Sequence, residues 1–324
     1  MSDKREILKQ YYAIYSNVIE KIEHKRYQYT DLEGYLRMYV DGLGKGDVRE
    51  SHKIYWQEML QRVHFASVTS LIRSKKWLEG TVLGLETKNL LLFASSFRGF
   101  LEATADSYYS LESLPTSMAL NFKIINSAVK GELNQCFCPE ELENKLIHFQ
   151  FAKKGKKGKD PEIKIALSNA DYIKSFDLEN LGIKELYSDL CEIAHPTANS
   201  VNCFTKEIIV SENYSYCVTS TETDDTVISK LLDRYSNQIK HLLKMGLSLY
   251  CICLKILTLF DYEDVHSEYI NESIFIELLN KESWDSILEM IEKGEKYLDE
   301  HNMDKIISSC KFRPNGVNIP LEPV

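Results

Sequence analysis

The stretch Leu90–Leu111, LLLFASSFRGFLEATADSYYSL, narrows what this chain can fold into more than any other. Its first half is apolar on every side, and in a soluble protein a helix of that kind has to be surrounded by other helices. Arg98 and Glu102 nevertheless sit in it one helical turn apart, and Asp106 and Tyr109 continue the same stripe at i+4 and i+3. Charges on so apolar a helix must be paired or catalytic, because burying one alone costs several kcal/mol. The stretch locates a polar centre inside a helical environment and leaves the reaction open.

The rest of the chain supplies the surrounding helices. Only 14 Gly and 7 Pro among 324 residues argue against a turn-rich β fold. Ile7, Leu8, Tyr11, Ile14, Tyr15, Val18, Ile19 and Ile22 recur at helical spacing within 3–27. Thr30 and Glu33 form a capping box for a short helix ending near Gly42, before a GKGD turn at 44–47. Further helices are predicted over 48–73, 76–86, 116–129 (after Pro115, stopped by Gly131) and 140–152 (led by Pro139). Thr223, Asp224 and Asp225 open a long helix running to about 260, and Ser283 caps one over 284–301. CFTKEIIV (203–210) and YSYCVTST (214–221) alternate across a short polar turn, the signature of a hairpin. An isolated hairpin is marginal, so this one is expected to lie on the helices or to pair with another chain. The fold class is therefore mainly α, a multi-helix bundle with one inserted β-hairpin at about 203–221. Three parts are expected: N-terminal helices over 1–87, a central bundle carrying the hairpin over 88–260, and C-terminal helices with an extended, Pro-punctuated tail over 261–324.

Several function classes fall away. A net charge of −9 gives no global attraction to nucleic acid. The segment AKKGKKGKDP at 152–161 is a local exception, with Lys153, Lys154, Lys156, Lys157 and Lys159. It reads as a solvated loop or as a contact to a phosphate backbone. No aromatic is interleaved, so a base-stacking platform is not indicated. The first residues lack a signal peptide's apolar core, and the longest apolar run, 245–260, is short for a span and carries Lys255. No membrane span is expected, and eight Cys without a secretion signal are read as reduced thiols of a cytoplasmic protein. Cys136-x-Cys138 and Cys251-x-Cys253 are too tight for a zinc-finger pair, and no His pair stands at metal-binding spacing. With no P-loop, GxGxxG, GxSxG or HExxH, neither a cofactor nor a metal is predicted.

The second informative stretch is IKELYSDLCEIAHPT, 183–197. Ile183, Leu186, Leu190 and Ile193 or Ala194 make a core face, while Tyr187, Cys191 and His195 follow one another at i+4 on a neighbouring stripe. Pro196 disfavours helical geometry at His195, which places the imidazole at a helix carboxyl end, where the protonated form is favoured. Cys191 and His195 form a thiol–imidazole pair or simply pack; His195 itself is structural, or catalytic if the Arg98/Glu102 helix lies alongside.

Taken together, Arg98-x-x-x-Glu102 followed by Tyr187-x-x-Leu190-x-x-x-x-His195-Pro196 resembles a family of uncharacterised bacterial helical proteins. That family is similar to the HEPN superfamily, whose helical bundles include RNA-cleaving toxins and abortive-infection proteins. The resemblance covers about 88–221. It implies metal-independent RNA cleavage or a related defence role, RNA as a partner, and a homo-oligomer. On that reading Arg98, Glu102, Tyr187 and His195 are the catalytic candidates: His195 as base or acid, Glu102 as its orienter or complement, Arg98 as the charge stabiliser. Nuclease members place an Arg a few residues before their His; here Ser188, Asp189 and Leu190 stand at that spacing, while Arg234 and His241 meet it with six residues between them. The competing class is a non-enzymatic interaction protein whose Arg98–Glu102–His195 centre is structural.

Overall fold

Long stretches without Gly or Pro leave the backbone free to coil, and nearly all of them do. The computed structural model describes residues 2–22, 26–155, 164–177, 181–210, 212–261 and 281–301. It is mainly α, with one two-stranded antiparallel hairpin among the described residues. The chain forms two compact units interleaved in sequence. One comprises Met1–Lys21, Ser70–Tyr109 and Leu167–Leu247; the other comprises Ile22–Thr69, Ser110–Ala166 and Ser248–Val324.

The first unit is built from α1 (Ser2–Ile22), the later part of α3 (Arg49–Glu86), most of α4 (Leu90–Leu111), then α8 (Asn169–Phe176), α9 (Ile183–Ala194), α10 (Ala198–Asn202), α11 (Asp224–Arg234) and the start of α12 (Ser236–Leu257). Two helices were expected where α3 runs unbroken, because the RSKK segment between them contains no residue that breaks a helix. The turn from α3 to α4 is tight: Lys88 takes a left-handed conformation (φ 54°), and Asn89 Oδ1 accepts from Leu92 N–H to cap α4. Gly84 is required there, since a Cβ would collide with the Phe93 backbone. Around α4 the core is closed by Leu8, Tyr15, Leu78, Phe93, Phe97, Phe100, Leu186, Leu190, Ile228 and Leu242, all buried. The Tyr15 and Phe100 rings meet edge to face, 6.5 Å apart.

Three local expectations in this unit needed adjustment. The long helix from Thr223 is interrupted at Tyr235, whose backbone leaves helical geometry between α11 and α12. Two short helices, α8 and α10, precede the hairpin; Ser168 caps the former and a Thr197/Ser200 capping box the latter. The hairpin is shorter than predicted, β1 (Thr205–Val210) paired with β2 (Ser215–Thr219), with a bulge between Glu207 and Ile209. Tyr214, just before β2, and Tyr216 and Val218 within it are 45–65% exposed.

The second unit takes α2 (Leu32–Lys45), the first part of α3, α5 (Leu114–Leu120), α6 (Phe122–Val129), α7 (Glu140–Phe151), the end of α12 and α13 (Lys281–His301). Asp31, rather than Thr30, caps α2, and the helix continues past Gly42 to stop at Gly46 in the left-handed region. Asn121 divides the expected 116–129 helix into α5 and α6, with Pro115 in the first turn of α5. Ser283 lies within α13, which packs on α5 and α6. Trp56, Leu60, Val63, Met118, Ile125, Phe137, Tyr250 and Leu254 fill the core. Lys255, the charge in the long apolar run, sits 4.5 Å from the Trp284 ring centroid, and burial lowers its pKa. No described helix is long and apolar enough to cross a membrane. The predicted extended tail, 311–324, lies outside the described residues.

Candidate functional site

Helices α4 and α9 bring the four predicted residues together within the first unit. Arg98 and Glu102 occupy successive turns of α4, and their side chains form an ion pair at 3.4 Å (Nε to Oε1). From α9, Tyr187 donates its hydroxyl to Glu102 Oε1 at 3.1 Å. At the end of that helix Pro196 forces His195 out of helical geometry (φ −103°, ψ 160°). Its imidazole Nε2 stands 2.6 Å from Arg98 Nη1. The result is a chain of contacts from His195 through Arg98 and Glu102 to Tyr187.

The contact chemistry sets the proton positions. A guanidinium only donates, so His195 Nε2 accepts and the ring hydrogen lies on Nδ1. The contact therefore requires a free lone pair on Nε2. Burial raises the Tyr187 hydroxyl's pKa, and its hydrogen bond with Cys191 and the Glu102 charge add to that. The Cys191 thiol therefore works with Tyr187, and the imidazole with Arg98, in place of the thiol–imidazole pair.

The two charges are largely buried and bonded as expected, while the centre opens to solvent at its imidazole end. Arg98 and Glu102 side chains are 23% and 24% exposed, and His195 is exposed. The helix is apolar all round only until its stripe reaches α9, where the chain leaves the cluster in contact with solvent. The stripe continues with partners at each turn: Asp106 accepts from Arg73 at 2.7 Å, and the Tyr109 ring meets Tyr172 edge to face at 5.6 Å.

An adjoining network escaped the sequence reading. Asp189, on α9, accepts from Arg234 at 2.9 Å and from the Tyr235 hydroxyl at 2.6 Å. Burial and the bond to Asp189 push the Tyr235 hydroxyl up to about 12. The adjacent Arg–Tyr pair at a helix break was the available signal. Arg234, formally spaced from His241, is thus engaged by Asp189. Of the lysine segment, Lys153 and Lys154 are exposed, and the Lys153 backbone bridges to Ile165; Lys156, Lys157 and Lys159 lie outside the described residues. No group of three or more His, Cys, Asp or Glu placed to hold a metal ion occurs among the described residues. Compared with family models, curated proteins and solved structures, the chain finds no match in any of the three.

Proposed function

We propose that this is a HEPN-like cytoplasmic protein of the bacterial defence or toxin type that cleaves RNA without a metal, as a homo-oligomer. One observation carries the reading: a solvent-open imidazole whose Nε2 lone pair faces a guanidinium held by a carboxylate. A phosphate arriving at the centre would draw Arg98 away from His195, freeing Nε2 to take a proton from the RNA's own 2′-hydroxyl. Arg98 then stabilises charge developing on the phosphate oxygens, while Glu102, oriented by Tyr187, holds the guanidinium in place. The exposed Tyr214, Tyr216 and Val218 of the hairpin support association with a second copy.

A second reading has its own observation. Arg98, Glu102, Asp106 and Tyr109 of the α4 stripe each meet another protein side chain, as a purely structural row would. In that case the protein is a non-enzymatic interaction module. The deciding experiment incubates purified protein with single-stranded and structured RNA in EDTA, beside Arg98→Ala and His195→Ala variants of verified fold. Cleavage by the natural chain, lost in both variants, is the expected result. Intact RNA throughout would favour the interaction module.

A further inference from the structure

Two cysteine pairs share one spacing and differ in everything else. Cys251 and Cys253 lie on α12, where positions i and i+2 point to opposite sides of the helix. Both are fully buried, and burial pushes both thiols up to about 12. Cys136 and Cys138 instead lie in the non-helical segment between α6 and α7. Burial alternates along it, with Phe137 and Pro139 inside and the two cysteines partly exposed. That is the pattern of extended backbone, which turns i and i+2 to one side.

The residue between the thiols pins the segment. Phe137 N–H donates to His52 Nε2 at 3.1 Å, its carbonyl accepts from Trp56 Nε1 at 2.9 Å, and its ring stacks on Trp56. On the other side the two thiols face a cluster of tyrosines. The Tyr39 hydroxyl is 3.4 Å from Cys136 Sγ, while the Tyr55 hydroxyl bonds with Cys138 and donates to Glu143 at 3.3 Å. Tyr35, stacked on Tyr39, feels both sulfurs.

We propose that Cys136 and Cys138 form a dithiol modification site, oxidised reversibly to an intramolecular disulfide by a low-molecular-weight disulfide of the glutathione type. The inference is independent of the RNA reading. One protein thiolate attacks glutathione disulfide, forming a mixed disulfide and expelling one glutathione thiolate. The neighbouring thiolate then attacks the protein sulfur of that mixed disulfide and expels the second. Two electrons pass to glutathione, and the two thiol protons end on the two glutathione thiols. Extended backbone sets the two Cβ atoms roughly 6.6 Å apart against the ~3.8 Å a disulfide needs, so closure bends the segment at Phe137, and the strained bond is easy to reduce. Because burial raises the Cys136 thiol's pKa, against the opposing Tyr39 hydrogen bond, closure accelerates with pH.

The test treats the full chain with glutathione disulfide, alkylates what remains, and maps masses. The peptide bearing Cys136 and Cys138 is expected to lose two hydrogens, regain them with dithiothreitol, and react faster at pH about 8.5 than at about 7. Cys136→Ser and Cys138→Ser should each stop at a glutathione adduct on the remaining thiol. Cys217, exposed on the hairpin, supplies the comparison of a thiol that keeps its adduct. The proposal is overturned if Cys217 reacts while Cys136 and Cys138 stay reduced, or if the natural pair stops at the mixed disulfide.

Discussion

The α4–α9 centre and the cluster around Phe137 are both polar groups embedded in helical cores, and they solve that problem in opposite ways. Around Phe137 the two deepest polar side chains take backbone partners: His52 and Trp56 hold the Phe137 amide and carbonyl. Burial there drives His52 down to about 4. At the α4–α9 centre the partners are other side chains, and Arg98, Glu102 and His195 all reach solvent. A strongly shifted buried group fastened to backbone is a fastening of the fold. Side chains that hold only one another, in contact with water, are free to exchange a partner for a ligand.

Removing a fastening should have the largest effect. Trp56→Ala deletes a fully buried ring, its stack on Phe137 and its bond to the Phe137 carbonyl, and should cost about 3–5 kcal/mol in urea unfolding. A loss under ~1 kcal/mol would mean that the segment is held by something else.

Acid provides the next contrast. His52 has a folded pKa below its unfolded one, so its neutral form stabilises the fold above the ordinary imidazole value. That contribution disappears as pH falls from about 6.5 to about 4. Its full size is ~3 kcal/mol, from 1.4 kcal/mol per pH unit. Burial raises the Glu143 carboxyl's pKa above its ordinary 4.5, so it acts in the opposite sense within the same window. The useful readout is therefore the difference from His52→Gln, which keeps an acceptor for Phe137 N–H and should flatten the slope. Parallel pH profiles for the two proteins would remove His52 from the account.

The open centre should be softer. The sequence alone predicts that Arg98→Ala strands a carboxylate at a cost of several kcal/mol. With Glu102 reached by water and by the Tyr187 hydroxyl, the expected cost is ~1–2 kcal/mol, read from the urea midpoint. A loss as large as that of Trp56→Ala would erase the distinction between the two regions. Smallest of all, Arg234→Ala removes an exposed partner of Asp189 and should cost ~0.5 kcal/mol or less while leaving RNA cleavage unchanged. Cleavage that depends on Arg234 and not on Arg98 would move the site to the Arg234/His241 pair.

Much of the architecture was legible because helices are written locally. The bounds of α4 follow from its apolar run, and the end of α9 at His195 follows from Pro196 alone. The convergence of Arg98, Glu102, Tyr187 and His195 was foreshadowed by two stripes at i+4 spacing. Their openness was not, since an all-round apolar helix says nothing about where its neighbours end. The break at Tyr235 and the role of Asp189 depend on a contact across 46 positions, which periodicity does not encode. Cys136 and Cys138 were passed over because their spacing was weighed only against zinc ligation. Which side they face is decided by the two hydrogen bonds to Phe137, and those come from α3.

The proposed cleavage requires the Arg98–His195 contact to give way to a phosphate. Long-range proton–nitrogen NMR of imidazole-labelled protein, with His195 assigned through His195→Asn, tests it directly. The expected spectrum has His195 protonated on Nδ1, and an uncleavable 2′-deoxy-substituted RNA shifts its Nε2 signal as Arg98 turns to phosphate. A ring protonated on Nε2, or an Nε2 signal unmoved by RNA that demonstrably binds, would contradict the account.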